Sequence, residues 1–168
     1  MAKKVLKKGI VAFAFGSPRD IPPNLAIGGI ASCYAITTKS PVFTQLDVPI
    51  GSGIEVKRGP EKPNEPPPTL RIAREAVRWA KELGIERLLI VAALPHLWRC
   101  RRDLRQAVAE VGASISVGVP ILSIQQFPEA FWFCPFSVQS RSRSKKNWDR
   151  RERILKAMPF SIYKLVAS

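Results

Sequence analysis

A three-layer α/β domain with a mainly parallel sheet is the fold class this sequence predicts, and three observations carry the prediction. Ile72, Ala73, Ala76, Val77, Ala80 and Leu83 recur at three- and four-residue steps, which marks one buried helix face. Residues 87–93, Arg-Leu-Leu-Ile-Val-Ala-Ala, are apolar without alternation, as expected of a strand covered on both faces. Gly84-Ile85-Glu86 between them has the length of an α-to-β turn, and a second helix opens directly after the strand. Helix, buried strand, helix is the unit of a doubly wound, Rossmann-like sheet.

The elements before this unit fit the same scheme. Residues 9–16 are rich in β formers and predict the first strand. Gly16-Ser17-Pro18-Arg19-Asp20 turns out of the sheet at its carboxyl edge, where open α/β sheets bind ligands. The amides of Gly16 and Ser17, with Asp20 as a polar partner, are therefore ligand-side candidates, although the same residues also suit a plain turn. No Gly-x-Gly-x-x-Gly is present, so a dinucleotide site has no support. Residues 24–37 are apolar on nearly all sides and predict a buried helix, with Gly28 and Gly29 permitting close approach. Residues 41–46 predict a second strand whose end, Gln45-Leu46-Asp47, adds polar groups to the same edge. Residues 48–68 are Gly- and Pro-rich and predict a long irregular loop, either a lid over the site or an excursion without a role. Its Glu61 and Glu65 are expected to be solvated. Pro66-Pro67-Pro68 cannot continue a helix, and Thr69 stands where an N-cap belongs.

After the central strand comes Leu94-Pro95-His96-Leu97-Trp98-Arg99, which places the only histidine of the chain at the ligand edge. His96 and Arg99, one helical turn apart, can face a shared anionic or polar ligand. The alternative is a histidine at a helix start with Arg99 solvated or paired to an acid. The helix continues with Cys100, Leu104, Ala107, Val108 and Val111 inward, Arg101, Arg102, Asp103 and Arg105 outward, and closes at Gly112. Residues 114–124 predict a last strand, with Pro120 at its end or on an edge. The Rossmann-like domain is thus expected over 1–125, and 126–168 form an aromatic and basic extension packed on it. Phe127, Phe131, Trp132, Phe133 and Phe136 cluster at its start, a basic run spans residues 140–153, and 148–165 carry helical periodicity broken at Pro159.

Thr69 ahead of an amphipathic helix, followed by an apolar strand and His96-x-x-Arg99, resembles the YdcF/SanA/ElyC-like family of bacterial α/β proteins. That family shows an Asn-Thr-x-x-Asn-like segment and a Val-Thr-Ser-x-x-His-x-x-Arg segment. Here Pro68 and Ile72 stand in place of the asparagines, and Ala92-Ala93 in place of Thr-Ser. The resemblance implies a Rossmann-like fold, with Gly16 opening the ligand-side loop. It also implies a small polar or nucleotide-like ligand, S-adenosylmethionine among the candidates, and a C-terminal extension.

The 168 residues suit one domain, and their net charge of +14 with a pI near 10.4 attracts polyanions. Two function classes follow besides a small anionic ligand at Gly16, Ser17, Asp20, Thr69, His96 and Arg99. One is nucleic-acid binding through Arg141, Arg143, Lys145, Lys146, Arg150 and Arg151. The other is a hydrolase or transferase acting on a phosphorylated or envelope-related metabolite. A single histidine without an evident partner acid gives no nucleophile–base–orienter triad. Cys33, Cys100 and Cys134 lack metal-ligand spacing and suit buried or half-buried free thiols in a reducing cytoplasm. The basic N-terminus makes a poor signal peptide, and no stretch approaches the ~20 apolar residues of a membrane span.

Overall fold

The structure, a computed structural model, describes residues 6–62 and 67–167. The basic first residues and Pro63, Glu65 and Pro66 of the long loop lie outside it. Five strands pair in parallel: β1 (Lys8–Ala12), β2 (Val42–Thr44), β3 (Val56–Arg58), β4 (Arg87–Val91) and β5 (Ser116–Gly118). Their order is β3-β2-β1-β4-β5. The central pair has the longest register, from Lys8 opposite Arg87 to Ala12 opposite Val91. The fold is a Rossmann-like three-layer α/β domain.

Chain direction fixes the layers. From β1 the chain moves outward to β2 through α1 (Pro22–Thr38). It then reverses, returning through α2 (Thr69–Glu82) to β4 and going out through α3 (Leu94–Glu110) to β5. Right-handed crossovers therefore place α1 on one face and α2 and α3 on the other. The core divides accordingly. Val11, Phe13, Leu88, Ile90 and Ala92 pack toward Ala73, Val77 and Leu104, while Ile10, Ala12 and Val42 pack toward Ile27 and Ala31.

No crossover helix covers β4 on the α1 face. The segment after β5 does so instead, through α4 (Ile121–Gln125) and a short 3-10 turn at Glu129–Trp132. Ile124, Trp132 and Trp148 are buried with Val91 and Ala93, and Phe127, Phe131 and Phe133 pack around them. The aromatic cluster thus takes the place of a helix. From there α5 (Lys145–Ala157) and α6 (Phe160–Ala167) run over the carboxyl edge of the sheet. Tyr163 and Ala167 reach Leu70, at the start of α2 on the opposite face. Trp148 Nε1 donates to Pro95 O at 3.1 Å, and the Tyr163 hydroxyl donates to Asp103 Oδ2.

Six expectations need correction, two of them on acids. Asp103, expected on the outer face of α3, is fully buried against Tyr163. Glu61, expected to be solvated, is half-buried and accepts from Leu46 N and Gln45 Nε2. The 48–68 stretch contains β3, short enough to hide among glycines and prolines, which pairs with β2 from Val42–Val56 to Thr44–Arg58. Residues 114–124 split at Pro120 into β5 and α4, because proline lacks the amide the sheet needs. The helix α1 is not buried all round: Leu25 and Ile36 are exposed, as is Cys33. Thr69 is not a cap, since Pro68 holds that position and the threonine is the first helical residue. Gly28 does allow a close approach, for a Cβ there would lie 1.9 Å from Pro49 O. Among the described residues no helix is long and apolar enough to cross a membrane.

Candidate functional site

The order β3-β2-β1-β4-β5 reverses chain direction between β1 and β4, and a crevice opens beyond their carboxyl ends. A cavity of about 380 Å³ lies there, within the size range of small-molecule pockets. Ala14 and Phe15 after β1, Gln45 after β2, Thr69 on α2, and His96 and Arg99 on α3 form its floor. The extension supplies the roof, with Gln139, Arg141, Trp148, Arg151, Leu155, Met158 and Tyr163.

His96 is buried and ringed by aromatic side chains, with centroid separations of 6.4 Å to Phe13, 6.1 Å to Phe15 and 5.3 Å to Trp148. Burial, and then the charges of Arg99, Arg151 and Arg141, hold its pKa well below the usual histidine value. The imidazole is therefore neutral. Nε2 lies 3.2 Å from Thr69 Oγ1, while Nδ1 has no hydrogen-bond partner among the described residues. With the proton on Nε2, the buried Nδ1 keeps a bare lone pair rather than a stranded N–H, so the ring donates to Thr69. In that tautomer His96 orients the threonine hydroxyl and does not deprotonate it.

Arg99 is 4% exposed and lies 3.1 Å from Glu152 Oε1 of α5, with its guanidinium 5.1 Å from the centre of the Trp148 ring. Its Nε has no partner among the described residues. Arg151 Nη1 stands 4.0 Å from the same carboxylate and, though buried, makes no hydrogen bond among the described residues. Burial and the charges of Arg99 and Arg141 push the Arg151 pKa down to about 10, and burial followed by Arg99 lowers that of Arg141. Among the described residues Glu152 is the only carboxylate within 4.0 Å of these three guanidinium groups. Asp103, which also feels the charge of Arg99, is neutralised by Arg102, so the roof and floor together hold an excess of two positive charges.

The structure brings Thr69, His96 and Arg99 together on one cavity. It does not bring Gly16, Ser17 or Asp20 to the lining. Gly16, at φ +92°, packs against the extension, where a Cβ would meet Ser142 Oγ at 2.6 Å and Ser137 Oγ at 2.7 Å. The Ser17 amide donates to Ser137 Oγ at 3.2 Å, and Asp20 is exposed in the turn before α1. The amides next to them are also used internally. Ala14 N donates to Gln45 Oε1 and Phe15 N to Asn24 Oδ1, both at 2.9 Å, and Asn24 Nδ2 donates to Gly16 O and Pro18 O.

The basic run is equally divided. Arg141 and Arg151 face the cavity. Arg143 donates to Ser137 O at 2.6 Å, Lys145 pairs with Glu129 and Asp149, and Lys146 and Arg150 are exposed. Sequence reasoning missed the roof because the run presents itself only as a basic surface suited to nucleic acid, with nothing to place it over the sheet edge. Trp148, Arg151, Glu152 and Leu155 do lie at i, i+3, i+4 and i+7, a helical stripe that mixes apolar and charged groups. That stripe was the available signal. Compared with protein-family models, with curated proteins and with solved structures, the chain finds no match in any of the three.

Proposed function

We propose that the protein binds a small anionic, phosphate-bearing or nucleotide-like ligand in the cavity between β1 and β4. One observation carries this reading: Arg99, Arg141 and Arg151 converge on a partly apolar cavity where, among the described residues, Glu152 is the one carboxylate paired with them. Like charges held at low dielectric repel, and a bound dianion would remove that repulsion. The start of α2 adds amide donors and a positive dipole end on the same wall. His96, being neutral, contributes a fixed hydrogen bond and orientation.

The reading agrees with the resemblance to YdcF-like proteins in its ligand edge and in Thr69, His96 and Arg99. It departs from it in preferring phosphate-bearing compounds to S-adenosylmethionine, whose sulfonium cation would face an already positive wall. A cytoplasmic setting suits the free thiols of Cys33, Cys100 and Cys134.

The test is thermal unfolding against nucleoside mono- and diphosphates, sugar phosphates and S-adenosylmethionine, using the wild type and Arg141→Gln/Arg151→Gln. A ligand at 100 times its Kd stabilises by about 2.7 kcal/mol, a melting shift of roughly 6–10 °C for a chain of this size. The expected result is a shift with a phosphate-bearing compound that is lost in the double variant. A shift with S-adenosylmethionine alone would overturn the charge argument, and no shift with any compound would overturn the site.

A further inference from the structure

On the outer side of α3, Trp98, Arg101, Arg102 and Arg105 share one helical stripe and face away from the cavity described above. They line a shallow groove of about 530 Å³, and Trp98 and Arg101 continue into a second groove of about 550 Å³ lined by Leu94, Leu97, Val119 and Ile121. No carboxylate lines either groove among the described residues. Asp103, the nearest acid in sequence, is fully buried and engaged by Arg102 and Tyr163. Arg101 and Arg105 are exposed and make no hydrogen bond or ion pair among the described residues. Trp98 is 47% exposed, with Arg102 at 4.9 Å and Lys156 of α5 at 5.0 Å from its ring centre.

We propose that these joined grooves bind single-stranded nucleic acid, with phosphates on Arg101 and Arg105 and an unstacked base against Trp98. A basic track beside an exposed aromatic ring is what a single strand recognises, for every base has a face that stacks and every link carries a charge. The stripe from Trp98 to Arg105 runs about 10 Å along the helix, the rise of about three nucleotides of a stacked strand. The apolar groove beyond Trp98 accepts a neighbouring base. The concave shape separates this partner from a membrane, whose surface would need a protruding face. The excess of +14 supplies long-range attraction.

Trp79, Trp132 and Trp148 are buried, so quenching of the exposed tryptophan emission by an added strand reports on Trp98. The experiment titrates the full chain with a short oligothymidylate across a range of salt. The variants are Trp98→Leu, Arg101→Gln/Arg105→Gln and, as a control, Lys146→Gln/Arg150→Gln on the extension. The expected outcome is quenching that disappears with Trp98→Leu. The salt slope should fall by about 1.4 in Arg101→Gln/Arg105→Gln, at about 0.7 per lost phosphate contact, and stay unchanged in the control. Binding that weakens only in Lys146→Gln/Arg150→Gln would overturn the assignment by moving it to the extension. Binding to phosphatidylserine vesicles without binding to the oligonucleotide would overturn it in favour of a lipid surface. Arg101, Arg105, Lys146 and Arg150 are all solvent-exposed, so these substitutions leave the core intact.

Discussion

At the scale of single residues, His96 has the most directly measurable property. Its folded pKa lies below the unfolded value near 6.5, so protons bind the unfolded chain more readily. The neutral ring's contribution to stability is thus complete above about pH 6.5 and is lost as pH falls below it. The melting temperature of the wild type minus that of His96→Gln should shrink between about pH 7.5 and pH 5. A difference that does not change with pH would contradict the neutral assignment. Taking the difference removes Asp47, Glu61 and Asp103, whose carboxyl pKa values burial raises and whose pH dependence has the opposite sign. His96 and Arg99 were legible in the sequence because the edge rule depends only on the order of strand and helix. The same rule nominated Gly16 and Ser17, but Asn24, Gln45 and Ser137 occupy the polar groups of that loop. Nothing in local sequence says which side chain a loop amide will meet.

Among the elements, α6 closes the cavity through few contacts, chiefly Tyr163 and Ala167 with Leu70 and Leu155. Its polar tie is the bond from the Tyr163 hydroxyl to the buried Asp103 carboxylate. Removing that hydroxyl in Tyr163→Phe leaves the carboxylate one donor short, at a cost of about 1–3 kcal/mol. Amide exchange over residues 160–167 should quicken more than exchange in β1 and β4, because the loss falls on a docked end rather than the central sheet. Equal acceleration everywhere, or none, would show that α6 is not held this way. The helix itself was legible from its apolar steps and the break at Pro159. Its destination was not, since amphipathic spacing gives a face without a partner. The strand β3 escaped notice for a related reason: three residues between glycines and prolines carry no period.

For the whole molecule, topology and charge meet at one place. Reversal of the chain between β1 and β4 creates the crevice, and the missing crossover on the α1 face is filled by the extension. That path carries Arg141 and Arg151 over the crevice to face Arg99. The parallel sheet was readable from two buried strands and their helices, whereas this convergence depends on residues 40 or more apart in sequence. The most direct test of the central claim is nuclear magnetic resonance of the arginine side-chain N–H groups, titrated with the phosphate-bearing compound that shifts melting most. The account predicts that the resonances of Arg99, Arg141 and Arg151 move together and saturate at one ligand per chain, with Arg101 and Arg105 unmoved. Changes confined to Arg101 and Arg105, or spread evenly over exposed arginines without saturation, would contradict it.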